Sequence, residues 1–158
     1  MIAYRAGTEQ GWVKRLVSAI EVVVAHVVSI TQTVENANQV EWAKLALNSP
    51  QARVLRVTRV RYHAPYHPPV ALEEVVLALD RFSGLNPDGS DIPDIIELAP
   101  RYGLSLGRAT ERVSVIQATK AMAVHLEIAM GSDVLRLERI AETVDGAPLE
   151  WRVAFRRI

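Results

Sequence analysis

In the stretch from Arg53 to Arg61, RVLRVTRVR, two arginines fall where an apolar stripe should continue. Side chains alternate faces along a strand, so Leu55, Val57, Arg59 and Arg61 share one face, opposite Val54, Arg56, Thr58 and Val60. A guanidinium withdrawn from water is costly unless a carboxylate, a phosphate or a carbonyl meets its donors. Arg59 and Arg61 together therefore call for an anion, supplied by a ligand or by acids of the chain. Glu73 and Glu74, on the segment that runs back after Arg61, and Glu150 further on are the acids at hand. Cross-strand Arg and Glu pairs on a sheet wet on one face would answer the demand without any ligand, and spacing alone does not choose.

Other chemistry is thinly represented. With no cysteine in the chain, disulfides, thiolate metal sites and a cysteine nucleophile are excluded. His63 and His67 have metal-like spacing only on a helix, and Pro65 and the Pro68–Pro69 pair argue against one. His26 and His125 read as core or edge residues. The acids of GLNPDGSDIPD lack the ligand ladder of a calcium loop. No glycine-rich phosphate loop, serine nucleophile elbow or zinc motif occurs, so no metal and no cofactor is expected.

The elements that must position the arginines fit one domain over residues 1–158. Lys plus Arg and Asp plus Glu number 18 each, so no overall field draws the chain to nucleic acid or an anionic membrane. The apolar run VVVAHVVSI at 22–30 is far shorter than the roughly 20 residues that span a bilayer. A cytoplasmic, soluble protein is the expectation.

Periodicity predicts an amphipathic helix over TEQGWVKRLVSAIE, a β-branched strand over EVVVAHVVSITQT, a helix over QVEWAKLAL, and a hairpin of RVLRVTRVRYH with VALEEVVLAL. A turn-rich loop and a short helix around IPDIIELAPRYG follow. The order then repeats: strand GRATERVSVIQAT, helix KAMAVHLEIAM ending at Gly131, strand DVLRLERIAETV, turn DGA and strand PLEWRVAFRRI. The repeat is audible in the residues, since VLRVTR at 54–59 returns as VLRLER at 134–139, Arg139 standing where Arg59 stood and Ala141 where Arg61 stood. The predicted fold is α+β, an antiparallel sheet with helices packed on it, built from two strand-helix-strand-strand halves that meet at a seam. In PLEWRVAF, Glu150, Arg152 and Arg156 share one face and Leu149, Trp151, Val153 and Phe155 the other.

Five of these pieces in this order, RVLRVTRVRY, PPVALEEVVLAL, IIELAPRYGLSLGRATERV, a helix, and VLRLERIAETVDGAPLEWRVAFRR, resemble the UTRA effector-binding domain of GntR-type bacterial transcription regulators of the HutC subfamily. The likeness runs from about residue 8 to the end of the chain and implies a chorismate lyase-like fold around a ligand cleft. It implies that Arg59 and Arg61 hold an anionic group of the effector and that Glu73 and Glu150 face the cleft as acceptors. Sugar-phosphate sensors of this kind place serines before the short helix, where this chain has SDIPDII, with Ser90 in reach and Asp91 and Asp94 opposing a phosphate. An aromatic expected near the end of the last strand falls on Arg156, with Phe155 adjacent. Such regulators carry a winged helix-turn-helix domain ahead of the effector domain, and the expectation is that DNA contact lies outside these residues, with MIAYRAGTEQGW as a linker.

Three readings follow. The first is a sensor, a homodimer that binds an organic acid, amino acid or sugar derivative and reaches DNA only through that further domain. The second is a chorismate lyase-like enzyme, with Glu73 or Glu150 as acid beside the arginines. The third is a ligand-free dimerisation module, motivated by the apolar stripe of the first helix and by RVAFRRI as a sheet edge.

Overall fold

The computed structural model describes residues 2–5, 26–63, 67–87 and 91–158. Its strands are β1 (Ile2–Arg5), β2 (His26–Asn36), β3 (Arg53–Tyr62), β4 (Pro69–Ala78), β5 (Leu106–Gln117), β6 (Asp133–Thr143) and β7 (Pro148–Arg157). The helices are α1 (Gln39–Lys44), α2 (Ile95–Arg101) and α3 (Lys120–Leu126), with a 3-10 turn at Leu79–Arg81. All strand pairs are antiparallel, in one seven-stranded sheet of order β1-β5-β6-β7-β4-β3-β2. The first half supplies β2, α1, β3 and β4 and the second β5, α3, β6 and β7, as the repeat predicts. Their seam is the β4–β7 pair, from Ala71 opposite Arg156 to Leu77 opposite Glu150.

Local chemistry sets the helix limits. Asn38 caps α1 in a reciprocal box, its side chain accepting from the Glu41 N–H while the Glu41 carboxylate accepts from the Asn38 N–H. Thr119 caps α3 by accepting from the Met122 N–H. The predicted stop at Gly131 is too late: Glu127 takes the left-handed conformation (φ 55°) and closes α3, and Gly131 (φ 83°) belongs to the turn into β6. Arg81 satisfies carbonyls left open after α1, donating to Leu45 O at 2.8 Å and Ala46 O at 3.0 Å, and it also reaches Pro148 O in the second half.

Each sheet face has its own cover. On one face Ile95, Leu98 and Ala99 of α2 bury Leu55, Val57, Val75 and Leu77, with Phe82 set edge-on to Tyr102 at 5.8 Å. On the other, Leu126 of α3 packs among Val60, Leu72, Val134, Val153 and Phe155. Leu45 and Leu47, just after α1, cover Val54, Val76 and Ala78. Side chains as large as Leu55, Ile95 and Leu126, each fully buried, contribute roughly 1.5–3 kcal/mol apiece.

Two expectations change. Ile2–Arg5, inside the segment read as a linker, forms β1 against β5. The last strand is no sheet edge, because β7 lies between β6 and β4, where its buried Val153, Ala154 and Phe155 need neighbours on both sides. The predicted helix over 8–21 falls outside the described residues.

Candidate effector-binding site

The alternation read from RVLRVTRVR holds: Leu55 and Val57 are buried under α2, and Arg59 and Arg61 continue the same face at 4 % and 5 % exposure. Register places Glu73 of β4 directly opposite Arg59. Its carboxylate is fully buried and accepts from Arg59 Nε at 2.7 Å and from Arg61 Nε at 2.5 Å. The outer edges of both guanidiniums meet Asp94, just before α2, whose Oδ1 accepts from Arg59 Nη2 at 2.7 Å and from Arg61 Nη2. Arg59 Nη1 also donates to Ile92 O at 3.1 Å. Each arginine thus bridges a buried acid behind it and a half-exposed acid in front.

In front of this layer opens a hollow of about 270 Å³. Arg59, Arg61 and Asp94 form its charged wall, with Asp91, Glu97 and Ser29 around them and Val27, Ile92 and Pro93 supplying apolar surface. Asp91 accepts from the Ser29 hydroxyl at 2.9 Å. Burial pushes the Arg59 guanidinium below its ordinary value, and Arg61 beside it adds to that, while Asp94 and Glu150 pull the other way. For Asp94, burial would raise the carboxyl, but Arg61 and Arg59 outweigh it and hold it below the usual range, so it is ionised at neutral pH.

The charged layer continues through the seam. Arg152 of β7, 4 % exposed, donates through Nη2 to Glu73, so one carboxylate holds guanidiniums from both halves. Burial, then repulsion from Arg61 and Arg59, pushes Arg152 well below its ordinary value. Arg139, opposite Arg152 in the β6–β7 pair, donates to Glu150 at 2.9 Å. Arg139 Nε and Nη1 and Arg152 Nε have no hydrogen-bond acceptor in the structure. These two side chains, with Glu111, Leu137 and Ala154, line a small space of about 10 Å³, the scale of a single water.

Of the residues expected at the site, Arg59 and Arg61 stand at the wall of the hollow, and Glu73, expected to face the cleft, is fully buried behind them and does not line it. Glu150 shares their face but lies level with Leu77 and Ala141, held by Arg139, and does not line the hollow. Arg156, half-buried, stands opposite Ala71 on that face, while Phe155 packs on the reverse side. Ser90 lies outside the described residues. The sequence reading missed Asp94 as a partner of the arginines, because 35 residues separate it from Arg59 and no local pattern joins them. Arg152 was within reach, since alternation already put it on the face of Glu150.

Among the described residues no group of His, Cys, Asp and Glu is placed to hold a metal ion, and no helix is long and apolar enough to cross a membrane.

The UTRA domain model matches residues 22–157. No curated protein matches the sequence. Among solved structures, a GntR-family transcriptional regulator from Enterococcus faecalis V583 superposes with a TM-score of 0.74 at 23 % identity, covering 83 % of this chain and 92 % of its own. The effector domain of PhnF from Mycobacterium smegmatis gives 0.73 at 19 %, over 83 % of this chain and 79 % of that one. A GntR-family regulator from Bacillus cereus gives 0.69 at 19 %, over 83 % and 90 %. Against the whole PhnF chain the match spans 57 % of its length. Two strand-helix-strand-strand halves joined at β4 and β7, and a family match over residues 22–157, make this chain a member of the UTRA domain family.

Proposed function

We propose that the hollow in front of Arg59 and Arg61 is the effector site, and that it takes a small metabolite through a carboxylate or other anionic group. The observation that carries this is a pair of buried guanidiniums that, with the half-exposed Asp94 on their outer donors, line an open hollow of about 270 Å³. Their fork suits a two-oxygen acid, which would bind by charge-assisted hydrogen bonds. Arg59, Arg61 and, behind them, Glu73 form the anion end; from the family likeness the proposal adds Ser90, and Glu150 and Arg156 as residues of the same sheet face that do not line the hollow itself. Binding would shift α2, which follows Asp94 directly, and so the geometry of a homodimer and of a DNA-binding domain attached to it. The role is sensing rather than turnover, in a single cytoplasmic domain of the HutC type.

Isothermal titration of a panel of small carboxylic and amino acids against the wild type, Arg59→Ala and Arg61→Ala tests the site. A hit on the wild type should weaken roughly 10- to 100-fold in each variant, the loss expected for a charge-assisted pair. Equal binding by all three proteins would remove the arginines from the site. Sedimentation in the same buffer reads the dimer.

A further inference from the structure

The two arginines at the wall of the hollow are not waiting for an anion, because Asp94 is already in their fork. Its Oδ1 takes Nη2 of both guanidiniums, while Glu73 takes both Nε atoms from behind. The Asp94 side chain is 43 % exposed and precedes a helix of only seven residues, whereas Glu73 is fully enclosed in the sheet. An incoming acid can therefore replace Asp94 but not Glu73. We infer that Asp94 occupies the anion position that the effector would take between Arg59 and Arg61 and selects for zwitterions, since a displaced Asp94 joins Asp91 and Glu97 around the bound molecule. This rests on the effector-site reading above and names its ligand class.

Charge around the hollow gives the reason. Arg59 and Arg61 share Glu73 and Asp94, with Arg152 also drawing on Glu73 from behind, and among the described residues the other charged groups lining the hollow, Asp91 and Glu97, are both acids. Glu97 has Arg101 at 3.6 Å, an exposed pair of little strength, and Asp91 has only the neutral Ser29 hydroxyl among its described partners. A phosphate dianion would bring two charges into this field and leave Asp94 expelled beside them, a like-charge arrangement that the walls oppose. A carboxylate replaces Asp94 one charge for one. A cationic group at the other end of the same molecule then meets Asp91, Glu97 and the freed Asp94. The expected effector is thus a small molecule with one carboxylate and an ammonium, imidazolium or guanidinium group.

The probes are inorganic phosphate, the ω-amino acids from glycine to 6-aminohexanoate, and the straight-chain fatty acids of equal length lacking the amine. Each is titrated calorimetrically into the intact wild-type chain, Asp94→Asn, the double variant Asp91→Asn/Glu97→Gln, and Arg61→Ala, with circular dichroism confirming the fold. The wild type should prefer one length of amino acid over its fatty acid by about tenfold, and the double variant, changed only at exposed acids, should lose that preference. Asp94→Asn should bind the fatty acid about tenfold tighter than the wild type and gain phosphate binding. A wild type that prefers phosphate, or an amino-acid preference untouched in the double variant with no gain in Asp94→Asn, overturns the inference while loss of binding in Arg61→Ala keeps the site. Probe binding that Arg61→Ala does not weaken, or no binding by any protein, removes the site and the inference together.

Discussion

Glu73 stands opposite Arg59 across the β3–β4 pair, and its carboxylate, fully buried, also receives Arg61 and Arg152. Three guanidiniums rely on one acid. Removing its charge leaves them desolvated without their common partner, so Glu73→Gln should lose about 3–5 kcal/mol of unfolding free energy in urea. A loss under about 1 kcal/mol would show that the arginines find other acceptors.

Arg152 presents the opposite case. It is enclosed, pushed well below its ordinary value, and its Nε has no acceptor in the structure. An apolar residue of similar length removes a poorly satisfied charge, and Arg152→Met should cost less than about 1 kcal/mol or stabilise the fold. Chemical denaturation of the two variants side by side should rank Glu73→Gln far below Arg152→Met.

On the reverse face Glu138 accepts from Lys44 at 2.6 Å, Arg136 at 2.8 Å and the Trp151 indole at 2.9 Å. Burial would raise its carboxyl, but these three bonds bring it down to about 2 from 4.5. A folded value below the unfolded one means that the ionised form stabilises. That contribution is complete above about pH 4.5 and is lost as pH falls toward 2. Glu138→Gln should therefore be less stable than the wild type by about 2 kcal/mol at pH 7, with the gap closing below pH 4.5. A gap independent of pH would mean that shape, not charge, holds this residue.

Gly107 sits where the register of β5 and β6 slips between Leu106 and Ala109. A Cβ there would meet Val144 Cα at 2.6 Å and Thr143 O at 2.8 Å, both backbone atoms with little room to yield. Gly107→Ala should cost about 1–3 kcal/mol in the thermal or urea transition, the range for overpacking.

What could be read in advance follows from the length scale of each signal. Alternation along one strand is local, so the shared face of Leu55, Val57, Arg59 and Arg61 was legible, as was the split of Glu150 and Arg152 from Trp151 and Phe155. The repeat of VLRVTR and VLRLER carried the two halves and their seam. Register between distant strands is not local: Glu150 lies two residues out of step with the position that Glu73 holds toward Arg59, because Arg139 faces Arg152 and Ala141 faces Glu150. Nor is the approach of α2, which brings Asp94 across the sheet to the arginines. The first half has Arg61 where the second has Ala141, and the hollow opens on the side with the second arginine.

The placement of β7 between β6 and β4 also governs how the chain assembles. Its residues, 148–157, come latest of all the strands, yet they fill the middle of the sheet. Until they arrive, β4 keeps an open flank with Leu72, Val75 and Leu77 along it, the kind of unfinished edge that recruits other chains. Synthesis from the ribosome thus leaves an N-terminal half that must wait for its central staple, and trimming those ten residues would split the domain down its axis rather than shorten it.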